Sequence, residues 1–177
     1  MKNNIVLIGF MGSGKTSVGD CLANKLSFGF VDTDQMIEEK NQMAITKIFA
    51  EQGEEYFRDL ETNTIKDMLQ NFESCVISTG GGLPLREVNS DILKELGYVV
   101  YLKVSRDTVL ARLKGDHSRP LLAGENASEK VDTMIKYRDP IYEKAADAIV
   151  IVDNKPIYTI MNEIMGGFAA YQFDFDK

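Results

Sequence analysis

The sequence predicts an α/β fold in which a parallel sheet is covered by helices on both faces. Three observations lead there: short apolar runs without alternation, amphipathic stretches between them, and a glycine-rich turn joining the first run to the first such stretch. The runs lie at 5–8, 28–31, 76–78, 98–102 and 148–152, rich in Val, Ile, Phe or Tyr and flanked by Gly, Asp or Asn. Continuous apolarity of this kind suits strands buried on both faces. Strands alternating with helices imply parallel pairing and crossover connections.

The helices follow from apolar spacing. Residues 15–26 place Val18, Cys21, Leu22 and Leu26 on one face, and 54–71 repeat the pattern through Phe57, Leu60, Thr64 and Met68. Stretches 106–114, 128–146 and 156–165 read likewise, the last with Pro156 at its first position. Residues 115–127 carry Gly115, Pro120 and Gly124 and resist assignment; connections of that length are often lids. From Gly166 to Lys177 the helical period is lost, which predicts a loosely held tail.

The chain has 177 residues, 44% hydrophobic and 27% charged, with a formal net charge of −7. That length suits a single domain, 1–177, able to bury a core without disulfide or metal staples. A nucleic-acid partner is disfavoured because phosphate backbones are met by a Lys/Arg excess. No apolar run approaches the ~18 residues of a membrane span. The apolar run at 5–8 breaks at Gly9, too soon for a secretory signal, so a cytoplasmic location is expected. Cys21 and Cys75 lack metal spacing and are expected as buried, reduced thiols. An anionic substrate would meet a repulsive average field, so its site has to be built locally. Residues 103–144 hold nine basic and seven acidic residues, so the negative excess lies elsewhere.

The strongest chemical signal is Gly9-Phe10-Met11-Gly12-Ser13-Gly14-Lys15-Thr16, a Walker A loop between the first apolar run and the first helix. Glycines let backbone N–H groups converge on phosphate oxygens, and the helix N-terminus adds its dipole. Lys15 would reach the β- and γ-phosphates, and the Thr16 hydroxyl would ligate Mg²⁺. A guanine-nucleotide switch is unlike this chain, because Asn154-Lys155-Pro156-Ile157 lacks the final Asp of the base-reading motif. Asp32 and Asp34 follow the second run, and strand alternation would put both on one side at the carboxyl edge of the sheet. One could face Mg²⁺-bound water and the other a substrate hydroxyl; helix capping by Asp34 is the competing reading. Gly80, Gly81 and Gly82 directly after a strand point to close approach of backbone to a ligand, with a plain turn as the alternative. Arg58 and Arg138 are ligand or surface cations on spacing alone.

Taken together, the Walker A run, Asp32-Thr33-Asp34, Ile48-Phe49-Ala50, Gly53-Glu54, Phe57-Arg58 with Glu61, the triple glycine, Arg119-Pro120-Leu121-Leu122 and Tyr137-Arg138 with Pro140 and Tyr142 resemble the shikimate kinase family, from Asn4 to about Met165. The resemblance implies a three-layer αβα P-loop kinase fold with a five-stranded parallel sheet, a mobile lid near 113–127 and a substrate-binding helical segment near 33–61. It implies transfer of the γ-phosphoryl of ATP to the 3-hydroxyl of shikimate, with Mg²⁺, in aromatic amino-acid synthesis. Catalysis would fall to Lys15, Asp34 and Arg119, and Thr16 and Asp32 would serve the metal. Arg58 and Arg138 would grip the shikimate carboxylate, with Glu61 orienting Arg58. Gly80, Gly81, Gly82, Phe49 and Phe57 would line the acceptor pocket. The nucleotide would be held by Gly12, Ser13, Gly14, Lys15, Thr16 and Ser17, with Arg112, Arg119, Lys155 and Pro156 on its far side. His117 is expected to be a bystander, and the protein a monomer. A gluconate kinase on the same fold, or an ATP-binding module without activity, are the alternatives.

Overall fold

The computed structural model describes residues 3–113 and 127–175. Its elements run β1 (Ile5–Ile8), α1 (Lys15–Leu26), β2 (Gly29–Asp32), α2 (Thr33–Asn41), α3 (Ile45–Asn71), β3 (Cys75–Ser78), a 3-10 turn (Leu83–Leu85), α4 (Glu87–Leu96), β4 (Tyr98–Lys103), α5 (Arg106–Leu113), α6 (Ala127–Ala145), β5 (Ala148–Ile151) and α7 (Ile157–Phe175). The five strands form one parallel sheet in the order β2-β3-β1-β4-β5. Ile5 pairs with Val76 on one side and Tyr98 on the other, which makes β1 central. All of β1 and β3 is buried, as their unbroken apolarity predicts. Helices α1 and α7 pack on each other, and α4 and α6 pack on each other and on β4.

Strand order decides where a ligand can sit. From β1 the chain moves outward to β2, and from β3 it crosses β1 to reach β4. Such a reversal leaves a crevice beyond the carboxyl ends of the strands. The glycine turn after β1, the acids after β2 and the glycines after β3 all open into it.

Two sequence expectations are corrected. The 166–177 stretch is not loose over its described part: α7 continues to Phe175. Phe168 is buried, edge-on to Phe28 at 6.2 Å between ring centroids, and Tyr171 lies 4.9 Å from Tyr98. Of the two glycines that hide the helical period, Gly167 serves this packing, since a Cβ there would overlap the Tyr98 hydroxyl, whereas one on Gly166 would meet nothing within 4 Å. The second correction is α4, absent from the sequence reading. Its apolar pattern is disguised by an exposed Val88 and a buried Asn89. Cys75 is buried as expected, whereas Cys21 is half-buried; both are free thiols. Among the described residues no helix is long and apolar enough to cross a membrane.

Candidate active site

The phosphate loop is a strand–turn–helix unit. Gly14 caps α1 at φ 93°, a left-handed conformation that disfavours any residue with a Cβ. Its carbonyl accepts from Val18 N–H at 2.9 Å, and the first N–H groups of α1 are left facing the turn, as an anion site requires. Lys15 Nζ folds over the loop, donating to the Gly9 carbonyl at 2.8 Å and the Phe10 carbonyl at 3.1 Å. The buried Ser13 Oγ has no hydrogen-bond partner among the described residues. Arg112, from α5, donates to the Gly12 carbonyl at 2.8 Å and so lies against the loop. Lys155 is paired with Glu163 at 2.7 Å, and the Pro156 carbonyl accepts from Thr159 N–H at 3.0 Å to start α7. Arg119, His117 and most of the 113–127 segment lie outside the described residues.

Asp32, not Asp34, is the capping residue. Asp32 Oδ1 accepts from the N–H groups of Asp34 at 3.0 Å and Gln35 at 3.4 Å. Its Oδ2 accepts from Ser78 Oγ at 2.9 Å and Thr16 Oγ1 at 3.4 Å. With α2 starting at Thr33, strand alternation does not set the direction of Asp34; the first helical turn does. Both acids nonetheless line one cavity of about 250 Å³ with Lys15, Thr16, Ser78 and Gly81. Asp34 Oδ1 is buried there without a hydrogen-bond partner among the described residues. Burial first, and then the Asp32 carboxylate, push Asp34 up to about 6. At neutral pH it is therefore ionised yet close to the value that suits a proton acceptor.

The triple glycine has a use that spacing alone did not disclose. A Cβ on Gly80 would overlap Asp34 Oδ1, and one on Gly82 would overlap the Arg58 guanidinium. One on Gly81 would stand 3.4 Å from the Gly9 carbonyl and 3.9 Å from Arg138 Nη1. Gly80 and Gly82 thus admit Asp34 and Arg58 to one short loop, and Arg138 lies at ordinary contact distance beside Gly81. Arg58 is braced by Glu61 at 2.7 Å and Glu54 at 2.9 Å, and it lies 5.6 Å from the centroid of the Phe57 ring. Phe57 in turn stacks on Phe49 at 4.8 Å, within the small apolar cluster between α2 and α3. Arg138 lies 5.6 Å from the Phe10 ring centroid, so the phosphate loop and this arginine are in contact. Glu61 has a side chain only 1% exposed, and burial outweighs the pull of Arg58 to push it up to about 7.

Three supporting residues carry no role in the sequence reading. Thr33 Oγ1 accepts from Gly80 N–H at 3.0 Å, Ser78 holds Asp32, and Tyr142 donates to the Gly81 carbonyl at 2.5 Å. A fourth link runs from α3, where Thr62 Oγ1 donates to Asn89 Oδ1 at 2.9 Å and Asn89 Nδ2 donates to the Leu83 carbonyl at 2.8 Å. A threonine between two aspartates was the one local signal; the others join residues too far apart in the chain to be paired by inspection.

The family model described as shikimate kinase matches residues 11–167. The shikimate kinase of Sulfurihydrogenibium sp. (strain YO3AOP1) is 46% identical over 162 residues, covering 92% of this chain and 95% of its own. Among solved structures, the shikimate kinase from Acinetobacter baumannii in complex with shikimate superposes with a TM-score of 0.89 at 34% identity, over 97% of this chain and 95% of that one. A gluconokinase from Sinorhizobium meliloti 1021 reaches 0.61 at 19% identity, over 98% and 95%, a likeness of fold alone.

Proposed function

The chain belongs to the shikimate kinase family, and we propose that it transfers the γ-phosphoryl group of ATP to the 3-hydroxyl of shikimate, yielding shikimate 3-phosphate and ADP on the route to aromatic amino acids. The observation that carries this reading is the glycine loop, which gathers Asp34, Arg138 and Arg58 beside the phosphate loop. Two guanidinium groups suit a carboxylate because each planar fork can bind it bidentately. Asp34, whose buried Oδ1 has no hydrogen-bond partner among the described residues, suits a hydroxyl that must be aligned and relieved of a proton.

In this reading Lys15 leaves the Gly9 and Phe10 carbonyls for the phosphates, and Arg112, Lys155 and Pro156 meet the rest of the nucleotide. Thr16 and Asp32 would hold Mg²⁺, which when bound neutralises phosphate charge. The donor set fits: a hydroxyl and a carboxylate face each other at 3.4 Å in the cavity. Because Asp32 already accepts four hydrogen bonds, it is suited to act on the ion through water. Arg119, from a lid at about 113–127 of a single kinase domain, would complete the charge neutralisation. A single copy of the chain would suffice for this chemistry.

Phosphoryl transfer draws mostly on positioning and electrostatics, so no stronger base is needed. An ADP-release assay with shikimate, gluconate and nucleoside monophosphates as acceptors tests the proposal. Turnover with shikimate is expected. Turnover with gluconate but not shikimate would overturn it, as would ATP binding without transfer to any acceptor.

A further inference from the structure

We propose that Tyr142 is a positioning residue for the acceptor, its hydroxyl holding the glycine loop and Arg138 in the arrangement that grips the shikimate carboxylate. The inference rests on the proposed function and deepens it. Tyr142 stands one helical turn after Arg138 in α6, so the two side chains share a face. Its ring is fully buried and lies 5.1 Å from that of Tyr101. That packing needs no hydroxyl. The hydroxyl instead donates to the Gly81 carbonyl at 2.5 Å, and the Arg138 guanidinium faces the phenol oxygen itself. Burial raises the phenol above its ordinary value, so it stays a donor throughout the working range.

The consequence lies in which backbone groups remain for the substrate. The Gly80 carbonyl is taken by Leu83 N–H at 3.1 Å and the Gly82 carbonyl by Leu85 N–H at 3.0 Å. The Gly80 N–H is taken by Thr33. Tyr142 removes the last carbonyl, that of Gly81. Among the described residues the loop is left with the N–H groups of Gly81 and Gly82, each beside an arginine. A loop that presents donors alone is matched to an anion. Without the hydroxyl, the Gly81 carbonyl would be a buried acceptor lacking a partner and able to turn toward the carboxylate, which it repels.

Steady-state kinetics of Tyr142→Phe test this, since phenylalanine keeps the ring. The KM for shikimate is expected to rise roughly 10-fold, with the KM for ATP unchanged. With the methyl ester of shikimate, whose acceptor hydroxyl is intact but whose carboxylate is masked, the variant and wild type are expected to differ little. An unchanged KM for shikimate, a parallel rise in the KM for ATP, or an equal penalty on the ester would each overturn the assignment. Should the variant not fold, wild-type protein with ¹³C-labelled tyrosine rings gives a second reading. The Tyr142 ζ-carbon resonance is expected to move on adding shikimate, and a resonance indifferent to it would overturn the proposal. Wild-type protein that never turns shikimate over is a distinct failure, that of the functional reading itself.

Discussion

The phosphate loop and the glycine loop stand at the ends of neighbouring strands, β1 and β3, yet they are built in opposite ways. The phosphate loop is local: within residues 9–16 the backbone supplies the turn, the helix cap and the groups that hold Lys15. The glycine loop is a seat for other elements. Asp34 reaches it from α2, Arg58 from α3 and Arg138 from α6, while Thr33 and Tyr142 fasten it from α2 and α6 and Asn89 from a fourth helix, α4. A contiguous loop suits a ligand end shared by all ATP users. An assembled one suits discrimination, because in the proposed function Asp34, Arg58 and Arg138 would each meet the acceptor from a separate helix.

Substitutions can break this contrast. Lys15→Ala should have the largest effect, a loss of about 10³-fold in kcat; a loss under 10-fold would show that the phosphate loop does not carry the transfer. Arg138→Ala should raise the KM for shikimate by about 50-fold, the cost of losing a charged partner, with little change for ATP. Unchanged constants would refute the carboxylate clamp. Gly82→Ala sharpens the contrast, because its methyl group would occupy the Arg58 position. Its KM for shikimate should rise about 10-fold and that for ATP should hold, whereas equal rises would mean general disruption.

The smallest effect concerns pH. Glu61 and Asp34 bind their protons more tightly in the folded chain than in the unfolded one, at about 7 and about 6 against 4.5 and 3.8. Their contribution to stability is therefore full below about pH 4 and is lost as pH rises through 6 to 7. In Glu61→Gln the Glu61 share disappears, so melting curves between pH 5 and 8 should be flatter than those of wild type by roughly 1–2 kcal/mol. Parallel curves for the two proteins would remove Glu61 from the account.

Much of this molecule was legible in the chain, unevenly. The boundaries of β1 and α1 coincide with the sequence reading because both are set by local features, an apolar run and a glycine cap. Helix α4 is not legible locally because Asn89 is buried by partners on α3 and the 3-10 turn after the glycine loop, which no local pattern reveals. Spacing alone made Asp32 and Asp34 legible as a pair, while their division of labour came only with the family resemblance. That division depends on α2 beginning at Thr33 and on Ser78 arriving 46 residues later to hold Asp32. Spacing left Arg58 and Arg138 open between surface and site for the same reason: nothing near either residue in the chain shows the glycine it meets.

By itself the sequence determined the parallel α/β class and the anion site at the head of α1, since strand burial and the backbone of a strand–turn–helix unit depend on neighbours a few residues away. Only the tertiary structure decided which side chain takes which glycine, and that the Tyr142 hydroxyl meets a carbonyl 61 residues distant. Those contacts are steric and directional, good to a few tenths of an ångström, and they exist only once the sheet has brought the ends of its strands together.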